Sequence, residues 1–408
     1  MSKPIVKEQG IYLKLTWNEE GIIISVSRIH AHKDGRVTGE ILITTTASEK
    51  NHIHQAQLNF TASNTRRQLA KQLSEKYPKI KWDDMMEQLV KITLDWQRKG
   101  EPVTELSSDE PAPPLEYLLY PLIPKDAPTQ LWGDGGTGKS LISLLCGICV
   151  SKAWYDNPFG FLVPELPTTT LILDWETDQN TTHRRLNYLS KGLGLERAFI
   201  NYRFCDKPLS DDLEQIMETI INLDAKFLIL DSIGKACAGD LNSSEIATRF
   251  SSALRQLRTT VLLINHTSKN SEGGKTAFGS VFFRNYARSE WNIKKQQEDD
   301  EDVIDIGLFH TKSNDSKLFK PLGFHIEFQN DRTIITPRNA SDIRAILGEE
   351  TIEQLIRKEL KQPMTYKEIA KCIGRDSNVT RQTLNRMEKK NIVAHSEGKW
   401  GLIYNNIL

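Results

Sequence analysis

The sequence predicts an α/β fold in which a parallel sheet is flanked by helices, and three observations carry that prediction. From about residue 116 to 340, short apolar, β-rich runs alternate with helically spaced ones, as βα units require. Several of these runs end in a polar or acidic residue, the position at which open α/β sheets keep their ligands. The first of them leads directly into Gly133-Asp134-Gly135-Gly136-Thr137-Gly138-Lys139-Ser140, a complete phosphate-binding loop of the form G-x-x-x-x-G-K-S/T.

The strands expected on this reading are Thr129–Trp132, Thr169–Asp174, Phe227–Asp231 and Val261–Asn265. Helices are expected between and after them, near Ser140–Trp154, Thr182–Leu193, Leu213–Leu223 and Ser244–Arg258. Two further strand-like runs flank the acidic cluster Glu298-Asp299-Asp300-Glu301-Asp302, which reads as a solvated hairpin tip.

A chain of 408 residues exceeds one ordinary domain. Residues 1–100 alternate apolar and polar positions around Ile11–Leu15 and Ile22–Ile29. They then turn to helical spacing at Arg67–Tyr77 and Trp82–Trp96, predicting a small domain of strands followed by helices. Residues 101–114 are polar and proline-rich, the composition of a linker. The sheet domain then covers 115–345 and a third unit 346–408.

Hydrophobic residues make up 38% and charged residues 26% of the chain, an ordinary globular balance that excludes fibrous and disordered classes. Lys+Arg and Asp+Glu are equal at 53 each, so contact with nucleic acid has to come from local patches. One such patch exists. After Glu350 the chain carries eleven Lys or Arg against six acids. The sequence has no apolar run of membrane-spanning length and its first residues lack the apolar core of a signal peptide, which predicts a cytoplasmic protein without a membrane partner. The five cysteines are scattered; Cys146 and Cys149 lie in the apolar run 141–150 and read as helix packing, not as metal ligands.

Within the loop, glycines at Gly133, Gly135, Gly136 and Gly138 let backbone N–H groups turn inward around phosphate oxygens, with Thr137 among the binding residues. Lys139 supplies a cation for the β- and γ-phosphates and Ser140 a hydroxyl for Mg²⁺. Phosphoryl transfer also needs a carboxylate near the metal and a group that orients the attacking water. Asp231, at the end of Phe227-Leu228-Ile229-Leu230, fits the first role as a second metal-side residue. Glu176, just after Leu171-Ile172-Leu173-Asp174, fits the role of general base, with Asp174 as a competitor. His266 ends Val261-Leu262-Leu263-Ile264-Asn265 and is placed to sense the γ-phosphate.

Taken together, residues 116–335 resemble the RecA-like hexameric ATPases of the plasmid RepA replicative-helicase type. The resemblance rests on the segment from Leu131 to Ser140, on Asp174 to Glu176 followed by Thr182-His183-Arg184-Arg185-Leu186, on Leu230-Asp231-Ser232, and on Asn265-His266-Thr267. It implies a RecA-like P-loop core, ATP and Mg²⁺ as cofactors, Glu176 as catalytic base, and His266 coupling nucleotide state to DNA. It further implies a homo-hexamer with single-stranded DNA in a central channel lined by 234–243 and 268–283. Lys235, Lys269 and Lys275 are the cations available there. Basic residues from a neighbouring subunit complete the site in such rings; Lys312, Arg284 and Arg288 are the candidates in this sequence.

In the third unit, Ile352–Leu360, Tyr366–Ile373 and Val379–Lys390 have helical spacing, and two short strands follow around Ser396-Glu397-Gly398-Lys399. Three helices and a hairpin resemble a winged helix. That would turn Asn378, Thr380, Arg381, Gln382, Asn385 and Arg386 of the third helix toward duplex DNA, with Lys399 on the wing; docking to a protein is the other use of such a unit. The leading expectation is an ATP-dependent DNA helicase or translocase serving replication of a plasmid, phage or mobile element. The alternative is a DNA-binding ATPase switch, such as a recombinase, loader or defence protein, that does not unwind.

Overall fold

The structure, a computed structural model, describes residues 2–100, 103–109, 111–237, 239–267, 277, 281–296, 302–339 and 352–403. The chain opens with a five-stranded antiparallel meander, β1 (Ile5–Gln9), β2 (Tyr12–Trp17), β3 (Ile22–Ala31), β4 (Val37–Thr45) and β5 (Ser48–Asn59), paired in sequence order. Alternation puts Leu13, Leu15 and Trp17 on one buried face. Two helices cover that face, α1 (Ser63–Lys76) and α2 (Trp82–Lys99). Trp82, Met85, Met86, Leu89 and Val90 form the buried stripe of α2 at helical spacing. The described residues between 103 and 116 form no helix or strand, and Val103 and Leu106 are fully exposed.

A short hairpin, β6 (Tyr117–Leu119) with β7 (Ile123–Pro124), leads into the main body. Its elements follow in order: β8 (Pro128–Gly133), α3 (Lys139–Lys152), β9 (Thr170–Asp174), α4 (Gln179–Gly192), β10 (Asn201–Phe204), α5 (Leu213–Leu223) and β11 (Phe227–Asp231). Then come α6 (Ile233–Ala236), α7 (Ser244–Gln256), β12 (Thr260–His266), α8 (Val281–Tyr286), β13 (Ser289–Gln296), β14 (Val303–Ser313), β15 (Leu322–Phe328) and β16 (Thr333–Arg338).

Among the described residues, strands β8 to β16 join one sheet in the order β10-β9-β11-β12-β8-β13-β14-β15-β16. It is parallel from β10 to β13 and antiparallel beyond. Strand β12 lies between β8, which carries the phosphate loop, and β11, which ends in Asp231. This is a RecA-like P-loop core. Buried clusters fill both faces: α3 with Ile172, Ile229, Leu262 and Ile306 on one, and α5 and α7 with Leu171, Leu228, Leu263 and Phe283 on the other. Cys146 and Cys149 are buried in the first of these clusters. The expected acidic hairpin lies between β13 and β14, which do pair antiparallel; Asp302 is described and the rest of its tip lies outside the described residues.

The N-terminal meander touches this body through α5. His30 Nε2 lies 3.1 Å from Glu214, and a Cβ on Gly10 would stand 3.1 Å from Ile221. After Arg338 the next described element is a helix over Ile352–Glu359, followed by helices Tyr366–Cys372 and Ser377–Lys389 and a hairpin of Val393–Ser396 with Lys399–Leu402. Thr365 and Glu368 form a capping box at the second helix, and Asp376 caps the third through the N–H groups of Asn378 and Val379. The hairpin turns through Glu397 and Gly398, both at positive φ, the demand of a two-residue turn. Among the described residues no helix is long and apolar enough to cross a membrane.

Helix α4 ends flush on the outer sheet. A Cβ on Gly192 would lie 1.9 Å from the Thr333 carbonyl oxygen of β16, a separation that no side chain tolerates. Gly192→Ala is therefore expected to destabilise the protein by on the order of 1–3 kcal/mol through overpacking. Urea unfolding checks this, and an unchanged midpoint would contradict the contact.

Candidate functional site

The phosphate loop is folded by its glycines. Gly136 and Gly138 have φ of 70° and 83°, the left-handed region that a glycine enters without cost. At Gly133 a Cβ would collide with the Ile293 carbonyl oxygen at 2.4 Å, so β13 demands glycine there. A Cβ on Gly135 would meet no protein atom within 4 Å, so the protein itself does not demand glycine at that position. Thr137 Oγ1 donates to the Asp134 carbonyl at 2.8 Å and closes the turn. Helix α3 begins at Lys139 with no side-chain cap, so its first N–H groups face the loop, an arrangement suited to an anion.

Lys139 is buried and its ammonium donates to the carbonyls of Gly133 at 2.9 Å and Asp134 at 2.7 Å. Burial pushes its pKa down from the ordinary lysine value, while the charges of Asp231, Glu176 and Asp134 oppose that shift. Ser140 Oγ donates to Asp231 Oδ2 at 2.9 Å, joining the start of α3 to the end of β11. A hydroxyl and a carboxylate at this separation beside an anion cradle fit a nucleotide-bound Mg²⁺. The acid is ready for such a cation, since burial pushes the Asp231 carboxyl up to about 6, with the charges of Glu176 and Asp174 acting in the same direction.

Asp174 and Glu176, close in sequence, have separate tasks. Asp174 is buried; its Oδ1 accepts the N–H groups of Glu176 and Thr177 at 2.8 and 2.9 Å. Its Oδ2 accepts the hydroxyls of Thr177, Thr182 and Tyr202 at 2.6, 3.3 and 3.2 Å. With every acceptor direction engaged, Asp174 fixes the β9–α4 turn and holds Glu176 out into the cleft. Asp178 completes the turn by capping α4 through Thr181 N at 2.9 Å. Glu176 Oε2 stands 3.5 Å from His266 Nε2. The hydrogen bond from His266 lowers the Glu176 pKa to about 2, helped by the Ser232 hydroxyl and the charge of Lys235 on α6.

These groups line one cavity of roughly 640 Å³ at the carboxyl ends of the parallel strands. Loop residues Gly135 to Ser140 form one wall and Glu176, Asp231 and His266 another. The cavity also holds groups that the sequence did not single out. Arg184, Arg185 and Tyr188 of α4 face it, as does Phe328, and Lys295 Nζ stands 3.8 Å from where a Cβ on Gly136 would be. The two arginines sit in a run noted only for its resemblance. Lys295 follows Lys294 in a β-strand and has no motif to mark it.

The remaining candidates are spread more widely. Lys312 Nζ donates to the carbonyls of Arg284 at 2.6 Å, Asn285 at 3.5 Å and Ala287 at 2.5 Å, capping the end of α8 within its own chain. Arg284 pairs at 3.0 Å with the buried Glu290. Arg288 is exposed and stands 3.7 Å from Asp315. All three lie at the amino edge of the sheet, opposite the phosphate loop, because Ser289 pairs with Thr129 and Glu290 with Lys312. Lys235 is exposed on α6; Lys269 and Lys275 lie outside the described residues. In the C-terminal unit Arg381, Gln382, Asn385, Arg386 and Lys399 are exposed, and Arg381 lies over the Tyr366 ring at 5.5 Å. Thr380 is the exception. Expected on the outer face, it is fully buried and donates to the Asp376 carbonyl at 2.8 Å, because it shares the inward stripe of Leu384 and Met387.

Comparison with known proteins agrees with this geometry over part of the chain. Residues 97–272 match a family model described as an AAA domain, a span that includes the phosphate loop, Glu176, Asp231 and His266. The site is that of a P-loop ATPase. No curated protein matches the chain. Among solved structures, a KaiC-like protein from the hyperthermophilic archaeon Pyrococcus horikoshii is similar at 15% identity and a TM-score of 0.39, covering 55% of this chain and 100% of that one.

The ATPase site carries a stability cost that pH should reveal. The Asp231 pKa is raised above its unfolded value, so the native state binds the proton more tightly; the favourable term is complete below about 4 and is lost as pH rises through about 6. Without nucleotide, in a chelator at pH 7, Asp231→Asn is expected to stabilise the protein by on the order of 1–3 kcal/mol. That gain should vanish near pH 4. Denaturant titrations at the two pH values test it, and equal differences at both would contradict the buried charge.

Proposed function

We propose that this ATPase is an ATP-dependent DNA helicase or translocase, acting as a homo-oligomeric ring, a hexamer, in replication of a plasmid, phage or mobile element. The observation that carries the reading is the Glu176–His266 pair. It joins the acid beside the phosphate loop to the residue that opens the loop after β12, the segment assigned to single-stranded DNA in the channel.

ATP and Mg²⁺ are the proposed cofactors. The loop N–H groups and Lys139 would hold the β- and γ-phosphates, and Ser140 and Asp231 would hold the Mg²⁺ side, where the cation, when bound, would supply positive charge beside the transferred phosphoryl group. Glu176 accepts the proton of the attacking water. While His266 is bonded to it, Glu176 is a weak base. A DNA phosphate that draws His266 or Lys235 away restores its basicity, which links DNA binding to turnover. Lys269 and Lys275 extend the same channel. The C-terminal unit is read as a winged helix that meets duplex DNA through Arg381, Arg386 and Lys399.

One observation favours a second reading. Lys312 and Arg284 are both committed within their own chain, and the third candidate, Arg288, stands 3.7 Å from Asp315 of that chain. A ring with so few trans-acting cations would suit a DNA-binding ATPase switch that does not unwind.

Forked-DNA unwinding separates the two. Wild type should separate strands and Lys139→Ala should not, while DNA-stimulated hydrolysis without strand separation would select the switch. Glu176→Gln should keep nucleotide binding and lose at least about a hundredfold in kcat, the scale of a general base; near wild-type turnover would exclude Glu176 from that role. Removal of residues 351–408 should weaken duplex binding about tenfold or more and leave DNA-independent hydrolysis within about twofold, whereas unchanged duplex affinity in electrophoretic shifts would assign that unit to protein docking.

A further inference from the structure

A second large cavity lies at the amino edge of the sheet, on the side away from the phosphate loop. It measures roughly 680 Å³ and is open to solvent. Lys125, Arg255, Arg258 and Arg288 line it, with Tyr286 among them; Asp126 and Asp315 are the acids in the same wall. Lys125 is paired with Glu116 at 2.5 Å, so the positive excess of the cleft rests on Arg255, Arg258 and Arg288 against Asp126 and Asp315. Arg288 stands 3.7 Å from Asp315, and Arg255 and Arg258 are both exposed.

Two helices connect this cleft to the segments assigned to the channel. Helix α7 begins at Ser244, directly after residues 234–243, and ends at Gln256 beside Arg255 and Arg258. Helix α8 follows the segment after β12 and ends at Tyr286, two residues before Arg288. Since β11 and β12 end at the carboxyl edge while β12 and β13 begin at the amino edge, both helices descend across the same face of the sheet. They are fastened together. Phe250 and Phe283 meet with ring centroids 5.8 Å apart, and Tyr286 of α8 and Ser251 of α7 line the same cleft. Thirteen helical residues in α7 span about 20 Å, a distance that a few nucleotides of single strand cover.

Guanidinium groups recognise phosphate through paired donors, and an aromatic ring among cations is the platform on which bases of a single strand stack. We infer that the cleft walled by Arg255, Arg258 and Tyr286 is a second contact for single-stranded nucleic acid, holding its backbone where it leaves the face of α7 and α8. The inference rests on the DNA-dependent reading above, because it takes the channel segments as the other end of the same path.

The test uses the full chain and fluorescence anisotropy of a labelled oligothymidylate across a salt series. Arg255→Gln/Arg258→Gln should weaken binding about tenfold and reduce the magnitude of the log–log salt slope by about 1.4, the release expected for two phosphate contacts on a single strand. Arg255→Lys/Arg258→Lys should recover most of the salt slope, and Tyr286→Phe should bind more tightly than Tyr286→Ala. DNA-independent hydrolysis, unchanged within about twofold in the double Gln variant, shows that the variant is folded. Wild-type affinity and slope in that variant would overturn the cleft while leaving the DNA-dependent reading intact. A raised KM for ATP with unchanged DNA affinity would overturn it in favour of contact with a neighbouring copy. If wild type itself binds no oligothymidylate in any nucleotide state, both the cleft and the reading beneath it fall.

Discussion

The register of the parallel strands is the constraint on which everything else in the ATPase core depends. Gly133 at the end of β8 pairs with His266 at the end of β12, and Asp231 at the end of β11 pairs with Asp174 at the end of β9. Because Leu230 pairs with Leu263, the ends of β8 and β12 lie two residues beyond those of β9 and β11, and each of the four strands leads a different polar group to the same cavity. A slip of one residue on any of these strands would reverse which side chains face each layer and remove its group from the site. The apolar clusters on both faces of the sheet, with Leu171, Leu228 and Leu263 on one side and Ile172, Ile229 and Leu262 on the other, make such a slip costly. Core packing thus fixes the geometry of the chemistry.

Two carboxylates in that cavity respond in opposite ways. Burial drives Asp231 toward its neutral form, and the donors around Glu176 hold the latter firmly ionised. The difference comes from environment, since one side chain is enclosed at the root of α3 and the other is projected into the cleft by the Asp174 turn. Separation of this kind lets one acid serve a cation and the other a proton.

Much of this arrangement could be read from the residues alone. Strand β11 and helix α5 have the limits that their apolar spacing suggests, β9 starts one residue later than expected, and β8 and β12 each extend one residue further at both ends. They were legible because buried parallel strands are continuous apolar runs, each closed by a turn or an acid. The outer antiparallel strands were harder. β13 reads Ser-Glu-Trp-Asn-Ile-Lys-Lys-Gln, with charge on both faces, because Glu290 is buried against Arg284 and Lys295 leans over the phosphate loop. Pairing at such distance leaves no local trace. The same holds for Asp174, whose five hydrogen bonds come from residues 176, 177, 182 and 202, and for Lys312, whose partners lie 25 to 28 positions away. Thr380 was misjudged for a simpler reason: a threonine among Asn, Arg and Gln looks polar, but its position in the helical stripe points inward.

The internal bonds of Lys139 carry a kinetic implication. Its ammonium rests on the carbonyls of Gly133 and Asp134, so the loop supplies its own substitute for the phosphates. Arrival of a nucleotide exchanges these neutral acceptors for charged ones, and departure restores them. Affinity is accordingly the difference between two sets of bonds to one cation, well below the sum of the contacts in the loaded state. Because neither state leaves the buried charge without acceptors, the loop has no reason to unfold between turnovers. A nucleotide can therefore enter and leave the cradle with only the partners of one lysine side chain exchanged.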